Sequence, residues 1–364
     1  MKIVAYSDPH SHEHKRHSWI SGHGVNSRVE DITTAVQVVY DYADSINAPT
    51  VFGGDMFQIK GSVAVNGFNG IFDIIRRRGL RTAPVSLSDL MIPGNHDMST
   101  TDGSKHALEP FANRRNVIAT APMLHSMGDN VTIAALPFPM ENGKFSDRKF
   151  VANYKMLVEG LSSCAPGHRK ILLSHCYTHE LMAKHHGVSG DVTGKDLLVD
   201  FDVVLLGHHH IHDVIHGDDG RKVVSIGSMI QHTFNDVGEV RGFVVLDTET
   251  LEIEHIPIES RKFWAFTGES EISETKAAGS FVRVRVATKV EGERVRKKLE
   301  SAGAASIVIE VIPVAVKTSR LDLEAGSKDE DIIQKYLDSE WCTTTLDKPE
   351  LKKRAGKYLS KAGG

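Results

Sequence analysis

The chain has 364 residues, of which 40% are hydrophobic and 25% are charged, and its formal net charge is −4. These values are typical of a globular protein with more than one domain, and they exclude a globally basic nucleic-acid binder. No apolar run approaches the roughly 18 residues of a membrane helix, and residues 1–5 are too short a run for a signal peptide. The three cysteines are scattered, which indicates a reducing compartment, so we expect a cytoplasmic protein.

The first third of the chain alternates short apolar runs with helical patterns. Residues 2–6, 50–52 and 90–92 predict buried strands, and the apolar spacing over 31–46 predicts a helix. A second predicted helix, 67–78, ends in Arg76, Arg77 and Arg78, which we expect to be solvated. Further apolar runs predict strands at 131–136, 170–174, 203–206, 223–226, 242–247 and 252–256. Helices mixed with strands early, and consecutive strands later, predict an α/β sandwich of mixed sheets.

Five of these apolar runs are followed by residues that can bind a metal ion. They are Asp8 and His10, Asp55, Asn95 and His96, His175, and His208 and His210. Polar residues after a strand are also what an ordinary turn contains, so no single run is decisive. In α/β sheets, however, ligands bind beyond the carboxyl ends of the strands. We therefore expect these side chains to meet at one rim.

The chemistry of this set favours two divalent cations. It contains carboxylates, an amide and imidazoles but no thiolate, which argues against a structural zinc site. Carboxylates suit Mg²⁺ or Mn²⁺ and imidazoles favour Mn²⁺ over Mg²⁺. The number of ligands fits two ions about 3.5–4 Å apart that share a carboxylate, the arrangement used for in-line attack on phosphate esters. A histidine outside the ligand set would assist the leaving oxygen.

Together the five motifs resemble those of the calcineurin-like metallophosphoesterases, in the same order. The resemblance implies a four-layer sandwich of mixed sheets flanked by helices. It also implies that His96 is the catalytic histidine. Gln58 stands where many members have an acidic residue, and it stays unassigned, so either Asp97 orients His96 or the orienting role is absent. The implied first metal is held by Asp8, His10, Asp55 and His210, and the implied second metal is held by Asp55, Asn95, His175 and His208.

The remaining histidines have simpler interpretations. His209 lies between two implied ligands on an extended segment and should point the other way. We expect the histidines of the loop 11–28 to be solvated, and we expect surface positions for His185, His186, His212 and His216.

Residues 227–263 resemble the end of the nuclease domain in the SbcD family of DNA repair nucleases. No histidine follows His255, and we place domain boundaries after 262 and 326. The region 263–326 resembles a small α+β capping domain, with predicted strands at 279–286 and 305–311 and a helix at 292–302. Its basic residues are a solvated face or a DNA-binding surface, and the candidates for DNA contact are Arg283, Arg285, Lys297 and Lys298.

Residues 327–364 predict two short helices that cannot bury their apolar stripe alone. They dock on their own domain, or they resemble the segment that binds the coiled coil of the SMC-like ATPase partner SbcC. The SbcD resemblance further implies a homodimer, Mn²⁺-dependent 3′ to 5′ exonuclease action on duplex ends, and endonuclease action on single strands. Two alternatives remain open: a phosphatase or cyclic-nucleotide phosphodiesterase acting on a small ester, and a scaffold whose site has decayed.

Overall fold

The computed structural model describes residues 1–80, 88–128, 130–165, 167–187, 192–217, 219–312, 323, 327–340 and 342–362. The chain divides into two compact units, Met1–Val311 and Ile312–Gly364. The predicted boundary after 262 remains a prediction, and the one after 326 falls outside the described residues. In the described part of the chain, no helix is both long and apolar enough to cross a membrane.

The first unit contains three main sheets. The first sheet has the strand order β14-β13-β1-β2-β3-β4, and its strands are β1 (Lys2–Tyr6), β2 (Thr50–Phe52), β3 (Asp89–Met91), β4 (Asn116–Ile118), β13 (Gly242–Asp247) and β14 (Ile253–Pro257). The second sheet has the order β11-β12-β10-β9-β6-β5, and its strands are β5 (Met123–Ser126), β6 (Val131–Leu136), β9 (Arg169–His175), β10 (Val203–Gly207), β11 (Asp213–His216) and β12 (Lys222–Ser225). Strands β7 (Met140–Glu141) and β8 (Lys144–Phe145) form a small hairpin.

The helices of the first unit cover the outer faces of the two large sheets and one face of the third. They are α1 (Ser27–Ser45), α2 (Val65–Gly79), α3 (Asp147–Leu161), α4 (His179–His186), α5 (Gly194–Asp200), α6 (Glu274–Ala277) and α7 (Lys289–Ser301). The third sheet is all parallel, with the order β15-β16-β17, and its strands are β15 (Phe263–Thr267), β16 (Phe281–Val286) and β17 (Ser306–Val311).

The two large sheets pack face to face because their strands alternate two apolar faces. In β1, Ile3 and Ala5 enter the core between the sheets, whereas Val4 and Tyr6 pack under α1 and α2. In the second sheet, Leu172 packs under α3 and α5, on the face opposite the shared core. Helix, sheet, sheet and helix thus form four layers, and the prediction of mixed sheets flanked by helices is confirmed.

The strands predicted at 2–6, 50–52, 131–136 and 242–247 have those bounds in the structure. The sequence patterns did not predict β11 or β15, nor helices α3, α4 and α5. Strands β11 and β15 have only four and five residues of mixed burial, and helices α4 and α5 have only eight and seven residues.

The expectation of solvated arginines at the end of α2 is wrong for Arg78. Its side chain is 3% exposed, and its guanidinium donates to Asp89 at 2.8 Å and forms a further ion pair with Asp44. Asp89 in turn accepts a hydrogen bond from the Thr50 backbone. A buried charge is tolerated only with such compensation, and here it links α1, α2, β2 and β3. Arg76 and Arg77 do lie on the surface.

The second unit contains two described helices, α8 (Asp329–Asp338) and α9 (Lys348–Ala362), which pack against each other. Both helices were predicted. Between them lies an apolar cavity of about 530 Å³, lined by Ile332, Ile333, Tyr336, Leu337, Cys342, Thr343, Thr344, Leu351 and Ala355.

Candidate metal centre

The carboxyl ends of five strands meet at one rim of the sandwich. Strands β1, β2 and β3 run parallel in the first sheet, and β9 and β10 run parallel in the second. Each ends at one of the predicted motifs. Three groups of side chains place ligand atoms within 4.8 Å of one another: Asp8, His10 and His210; His10, Asp55 and His96; and Asp55, His175 and His208.

Asp55 lies at the centre of this constellation. Its Oδ2 is 3.3 Å from His175 Nε2 on one side and 3.7 Å from His10 Nε2 on the other. Because a carboxylate has two oxygens with several lone pairs, it can serve two cations at once. Asp55 belongs to two of the three groups and would therefore be the ligand that two cations share.

The group of Asp55, His175 and His208 is completed by Asn95. Its Oδ1 lies 3.2 Å from His175 Nε2, and His208 Nδ1 lies 3.1 Å from the same nitrogen. His175 Nδ1 is 2.6 Å from the Gly53 carbonyl, which can only accept. When His175 is neutral, its proton therefore belongs on Nδ1, and the Nε2 lone pair faces the other ligands. Such a fixed tautomer is the usual support of a metal-binding imidazole.

The rim is held in an uncommon backbone conformation. Asp8, Asp55 and His208 have φ values of 54°, 60° and 83°, in the left-handed region that non-glycine residues rarely adopt. The neighbouring glycines permit the close approach of the chains. A Cβ on Gly94 would lie 2.2 Å from Asp55 Oδ1, and one on Gly207 would lie 2.2 Å from the Gly53 carbonyl. Any side chain at these two positions would displace the ligands.

Burial and crowding shift the acid–base properties of the site. Burial alone would raise the pKa of Asp8, but the neighbouring histidines outweigh it and hold that pKa well below its ordinary value. Burial disfavours charge on His175, yet the Asp55 carboxylate prevails and raises the pKa of His175 to about 9. Burial, with His175 beside it, lowers the pKa of His208 to about 3. At neutral pH, His175 is therefore a positively charged imidazolium, whereas the neighbouring His208 is neutral.

One carboxylate oxygen and two imidazole nitrogens of the rim face one another at distances that suit a bound cation. Asp8 Oδ1 is buried without a hydrogen-bond partner among the described residues, and it lies 3.6 Å from His10 Nε2 and 3.7 Å from His210 Nε2. Those two nitrogens are only 3.0 Å apart. An orphaned buried carboxylate oxygen facing two imidazole nitrogens fits a divalent cation. The donor set consists of oxygens and nitrogens with no sulfur, which suits hard and borderline divalent cations.

The structure corrects the expectation that Asp97 orients His96. The Asp97 carboxylate accepts hydrogen bonds from the backbone amides of Asp55, Phe57 and Gly94 at 2.8, 3.2 and 3.0 Å, so it holds the loop together. His96 Nδ1 instead lies 2.6 Å from the backbone carbonyl of Gln58. That carbonyl fixes the tautomer of His96, because it can only accept. The role left unassigned at Gln58 belongs to its main chain.

A cavity of about 550 Å³ opens onto the metal centre. Besides predicted ligands, its lining includes Tyr177, His232 and Arg241, which the motifs did not indicate. His232 donates from Nε2 to the Asp8 carbonyl at 3.1 Å and supports the first motif. His232 follows β12, a sixth strand, which runs parallel to β10. Its place after the carboxyl end of that strand was therefore a sequence signal that His232 belongs near the site. The ring of Tyr177, 39% exposed, lies 4.4 Å from that of His208.

A second cavity, of about 450 Å³, continues from the first, and we call it the basic groove. The two cavities share His14, His232 and Thr233. The basic groove is also lined by Lys15, Arg16, Arg28 and the aromatic rings of Phe234 and Phe263. Among the described residues, no acidic side chain lines it. The loop 11–28, expected to be solvated, therefore contributes the main positive wall beside the metal centre.

The four candidate DNA-contact residues do not form one surface. Val282, Val284 and Val286 of β16 pack against α7, so the alternate residues Arg283 and Arg285 lie on the other face of the third sheet. Lys297 and Lys298 belong to α7 and are therefore separated from the arginines by the sheet. Both arginines are also engaged by an acidic side chain, since Glu310 lies 3.0 Å from Arg285 and 3.8 Å from Arg283.

The structure places His209 as expected, away from the predicted ligands. Its ring packs against His185 and His186, of which only His186 is exposed. His212 stacks on His255 with ring centroids 4.2 Å apart and is half-buried, not a surface residue. His17 is also half-buried, since its Nδ1 lies 2.9 Å from Ser306 Oγ at the start of β17.

Known proteins show which family has this constellation. The family model "Calcineurin-like phosphoesterase" matches residues 1–212. No curated protein sequence matches the chain.

Similar solved structures include a dimetal phosphatase from Danio rerio, with 11% identity, a TM-score of 0.44, and coverage of 67% of this chain and 91% of that one. Phosphopantetheinyl hydrolase from Mycobacterium tuberculosis has 11% identity, a TM-score of 0.38 and coverage of 62% and 89%. Zinc-bound Vps29 from Entamoeba histolytica has 15% identity, a TM-score of 0.30 and coverage of 70% and 89%. All three TM-scores lie below 0.5, so the assignment rests on the family model, which spans more than half of the sequence. The chain belongs to the calcineurin-like phosphoesterase family.

Proposed function

We propose that this chain is a two-metal DNA nuclease of the SbcD type, with Mn²⁺ as its preferred cation. The observation that carries the proposal is the basic groove, which continues directly from the metal cavity. A small phosphate ester is accommodated by the metal cavity alone. A polynucleotide has further phosphates along its backbone, and these need positive charge beyond the reacting centre.

The charges of the basic groove suit this role. Lys15 and Arg16 are exposed, and neither forms an ion pair with any described residue. Cationic side chains of this kind contact phosphates and position the strand without reading its sequence. The half-buried ring of Phe234 adds an aromatic surface, and aromatic rings beside a basic groove are a common platform for single-stranded bases.

The residues of the rim supply the chemistry of hydrolysis. Two divalent cations held by the rim ligands would neutralise the phosphoryl oxygens and make a bound water more acidic. The Nδ1–H group of His96 donates a hydrogen bond to the Gln58 carbonyl. Nε2 is therefore the nitrogen that would transfer a proton to the departing oxygen. Burial of the rim excludes bulk water and strengthens each electrostatic contact.

The proposal extends to the activities and partners of the SbcD type. These are 3′ to 5′ exonuclease action on duplex ends, endonuclease action on single strands, a homodimer, and an SMC-like ATPase partner of the SbcC type. Supporting the last, helices α8 and α9 leave an apolar cavity at their junction, and Tyr336 beside it is 48% exposed. An apolar groove between two helices is a typical receptor for an amphipathic helix.

The test compares linear duplex DNA, circular single-stranded DNA, a phosphodiester of small size and a phosphomonoester, with Mn²⁺ and then Mg²⁺. The variant Lys15→Ala/Arg16→Ala should weaken DNA binding and lower the salt dependence of log K by about 1.4–1.8, because two phosphate contacts are lost. Hydrolysis of the small diester should be unchanged. The matched control, Lys297→Ala/Lys298→Ala, removes the same charge on the far side of the third sheet.

Monoester turnover with intact DNA would refute the nuclease and support a small-ester phosphatase. Equal losses in the two double variants would show that DNA binding follows net charge and not the basic groove. Absence of hydrolysis on every substrate, with two metals bound, would support the scaffold with a decayed site.

Removing residues 327–364 tests the partner assignment separately. Hydrolysis of the small diester should persist, while binding to a coiled-coil ATPase fragment should disappear. Retained binding would place the partner surface on the first unit.

A further inference from the structure

A second histidine cluster lies beside the metal cavity and takes no part in the rim. It consists of His185 and His186, at the end of α4, and His209, and we call it the α4 cluster. The ring of His209 has its centroid 4.9 Å from that of His185 and 5.2 Å from that of His186. The predicted ligand pairs His175–His208 and His10–His210 have centroids 4.8 Å apart. The α4 cluster therefore has nearly the ring spacing of the metal centre itself.

One member of the α4 cluster has an unmet hydrogen-bonding requirement. His209 is 4% exposed, and its Nε2 is buried without a hydrogen-bond partner in the described part of the chain. Buried polar atoms without partners are rare and costly, and each needs an explanation. His209 also lines the cavity of about 550 Å³ together with His186, so its ring forms part of the wall of an open space.

A second member has the support that metal-binding histidines usually have. His185 Nε2 lies 2.8 Å from Asp213 Oδ2, an oxygen that can only accept when ionised. The proton of this contact therefore belongs on Nε2, and His185 Nδ1 keeps its lone pair. A carboxylate, an imidazole and a metal in that order form a common arrangement, in which the carboxylate orients the ring. Lys184 also contacts Asp213, at 2.7 Å, and keeps the carboxylate in place.

The third member supplies the freedom needed to close the site. The nitrogens of the α4 cluster do not form a group within 4.8 Å, unlike those of the rim. His186 is exposed, and it is followed by Gly187, which ends α4 in the left-handed conformation. Rotation of the exposed His186 side chain can therefore turn a nitrogen towards His209 without disturbing the core.

We propose that His185, His186 and His209 bind one late first-row transition cation, represented by Zn²⁺, in addition to the catalytic pair. An all-imidazole set favours Zn²⁺, Ni²⁺ or Cu²⁺ over Mn²⁺ and Mg²⁺, which prefer oxygen ligands. The cation would join α4 to the segment 207–210, which supplies His208 and His210 to the rim. The catalytic centre and the α4 cluster would then differ in metal preference.

The experiment counts zinc on the full, untagged chain after gel filtration in zinc-buffered solution, by native mass spectrometry. The wild type should carry one more Zn²⁺ per chain than the variant His185→Gln/His186→Gln. The matched control His216→Gln, an exposed histidine of β11, should carry as many as the wild type. Because the result is a difference between two zinc counts, it does not depend on how many ions the catalytic centre holds. The zinc count is also measured independently of nuclease activity, so failure of this proposal is distinguishable from failure of the proposed function.

The variant Asp213→Asn keeps all three imidazoles and should lower the zinc affinity of the α4 cluster by about 10- to 100-fold. Mn²⁺ binding should be the same in the wild type and the double variant. Equal zinc counts in the wild type and the double variant would overturn the proposal. So would a loss of Mn²⁺ equal to the loss of Zn²⁺, since the change would then have damaged the catalytic centre. Thermal melts of the metal-free proteins confirm that the variants fold.

Discussion

The metal rim and the arginine face of the third sheet are both dense in charge, but they differ in how that charge is satisfied. At the rim, Asp8 Oδ1 is buried and lacks a partner among the described residues. On the third sheet, Arg283 and Arg285 share the carboxylate of Glu310. The rim therefore offers a buried carboxylate oxygen to a cation, whereas the two arginines of the third sheet already have one carboxylate of their own chain between them. Charge that the fold leaves uncompensated is a better guide to a ligand than charge alone.

Removing the shared carboxylate should have the largest effect on the rim. In Asp55→Asn, both ligand groups that contain Asp55 lose their common anion, so calorimetry should detect no tight binding of two Mn²⁺ ions and hydrolysis should fall to background. The exposed Asp73→Asn on α2 is the matched control and should bind metal normally. Two ions bound by Asp55→Asn with wild-type affinity would contradict a bridging position.

Changing His96 to Gln should separate chemistry from metal binding. We expect kcat to fall by about 10²- to 10⁴-fold, because a positioned proton donor is lost. Both metal ions should remain bound, even though His96 lies within 4.8 Å of His10 and Asp55. Loss of one metal equivalent in this variant would instead make His96 a ligand.

The metal-binding sites on the rim should release protons when they are filled. In the metal-free protein, Asp55 raises the pKa of His175 to about 9, so His175 carries a proton at neutral pH. A cation must displace that proton, and its apparent affinity should rise by up to about tenfold for each pH unit until pH 9. Calorimetry in two buffers with different ionisation enthalpies measures the released proton. Binding heats that do not depend on the buffer would show that His175 is already neutral.

The rim was predictable from sequence for a physical reason. Parallel strands bring their carboxyl ends to one edge, so a run of apolar residues followed by Asp, Asn or His predicts both the strand and its contribution to the site. The role of Gln58 was not predictable, because its main-chain carbonyl is the functional group and every residue has one. Arg78 was missed because its partners Asp44 and Asp89 are far away in the sequence.

The third sheet was only partly predictable. The alternation over 279–286 correctly indicated a strand with two different faces, and the strand in the structure covers 281–286. It could not show which face α7 would cover, and so it could not separate Arg283 from Lys297. Nor could it show that Glu310, on the neighbouring strand, would take up both arginines. Pairing across strands depends on register, which a single sequence specifies weakly.

Removing the Glu310 carboxylate, which pairs with Arg283 and Arg285, should have the smallest effect. It directly tests the contrast between the rim and the third sheet. Exposed ion pairs are worth about 0.2–1 kcal/mol, so Glu310→Gln should tighten binding of single-stranded DNA by about 1.4- to 5-fold, as measured by fluorescence anisotropy at fixed salt. Hydrolysis of a small diester should not change, because Glu310 lies outside the metal cavity.

The matched control is Glu300→Gln, which removes the same charge from an exposed position on α7. If it tightens DNA binding equally, the gain comes from net charge and not from the freed arginines. If only Glu310→Gln tightens DNA binding, Arg283 and Arg285 are able to bind phosphate, and in the wild type the Glu310 carboxylate competes with phosphate for them. Arginines are well suited to such a role, because one guanidinium can exchange a carboxylate for a phosphate with little change in geometry.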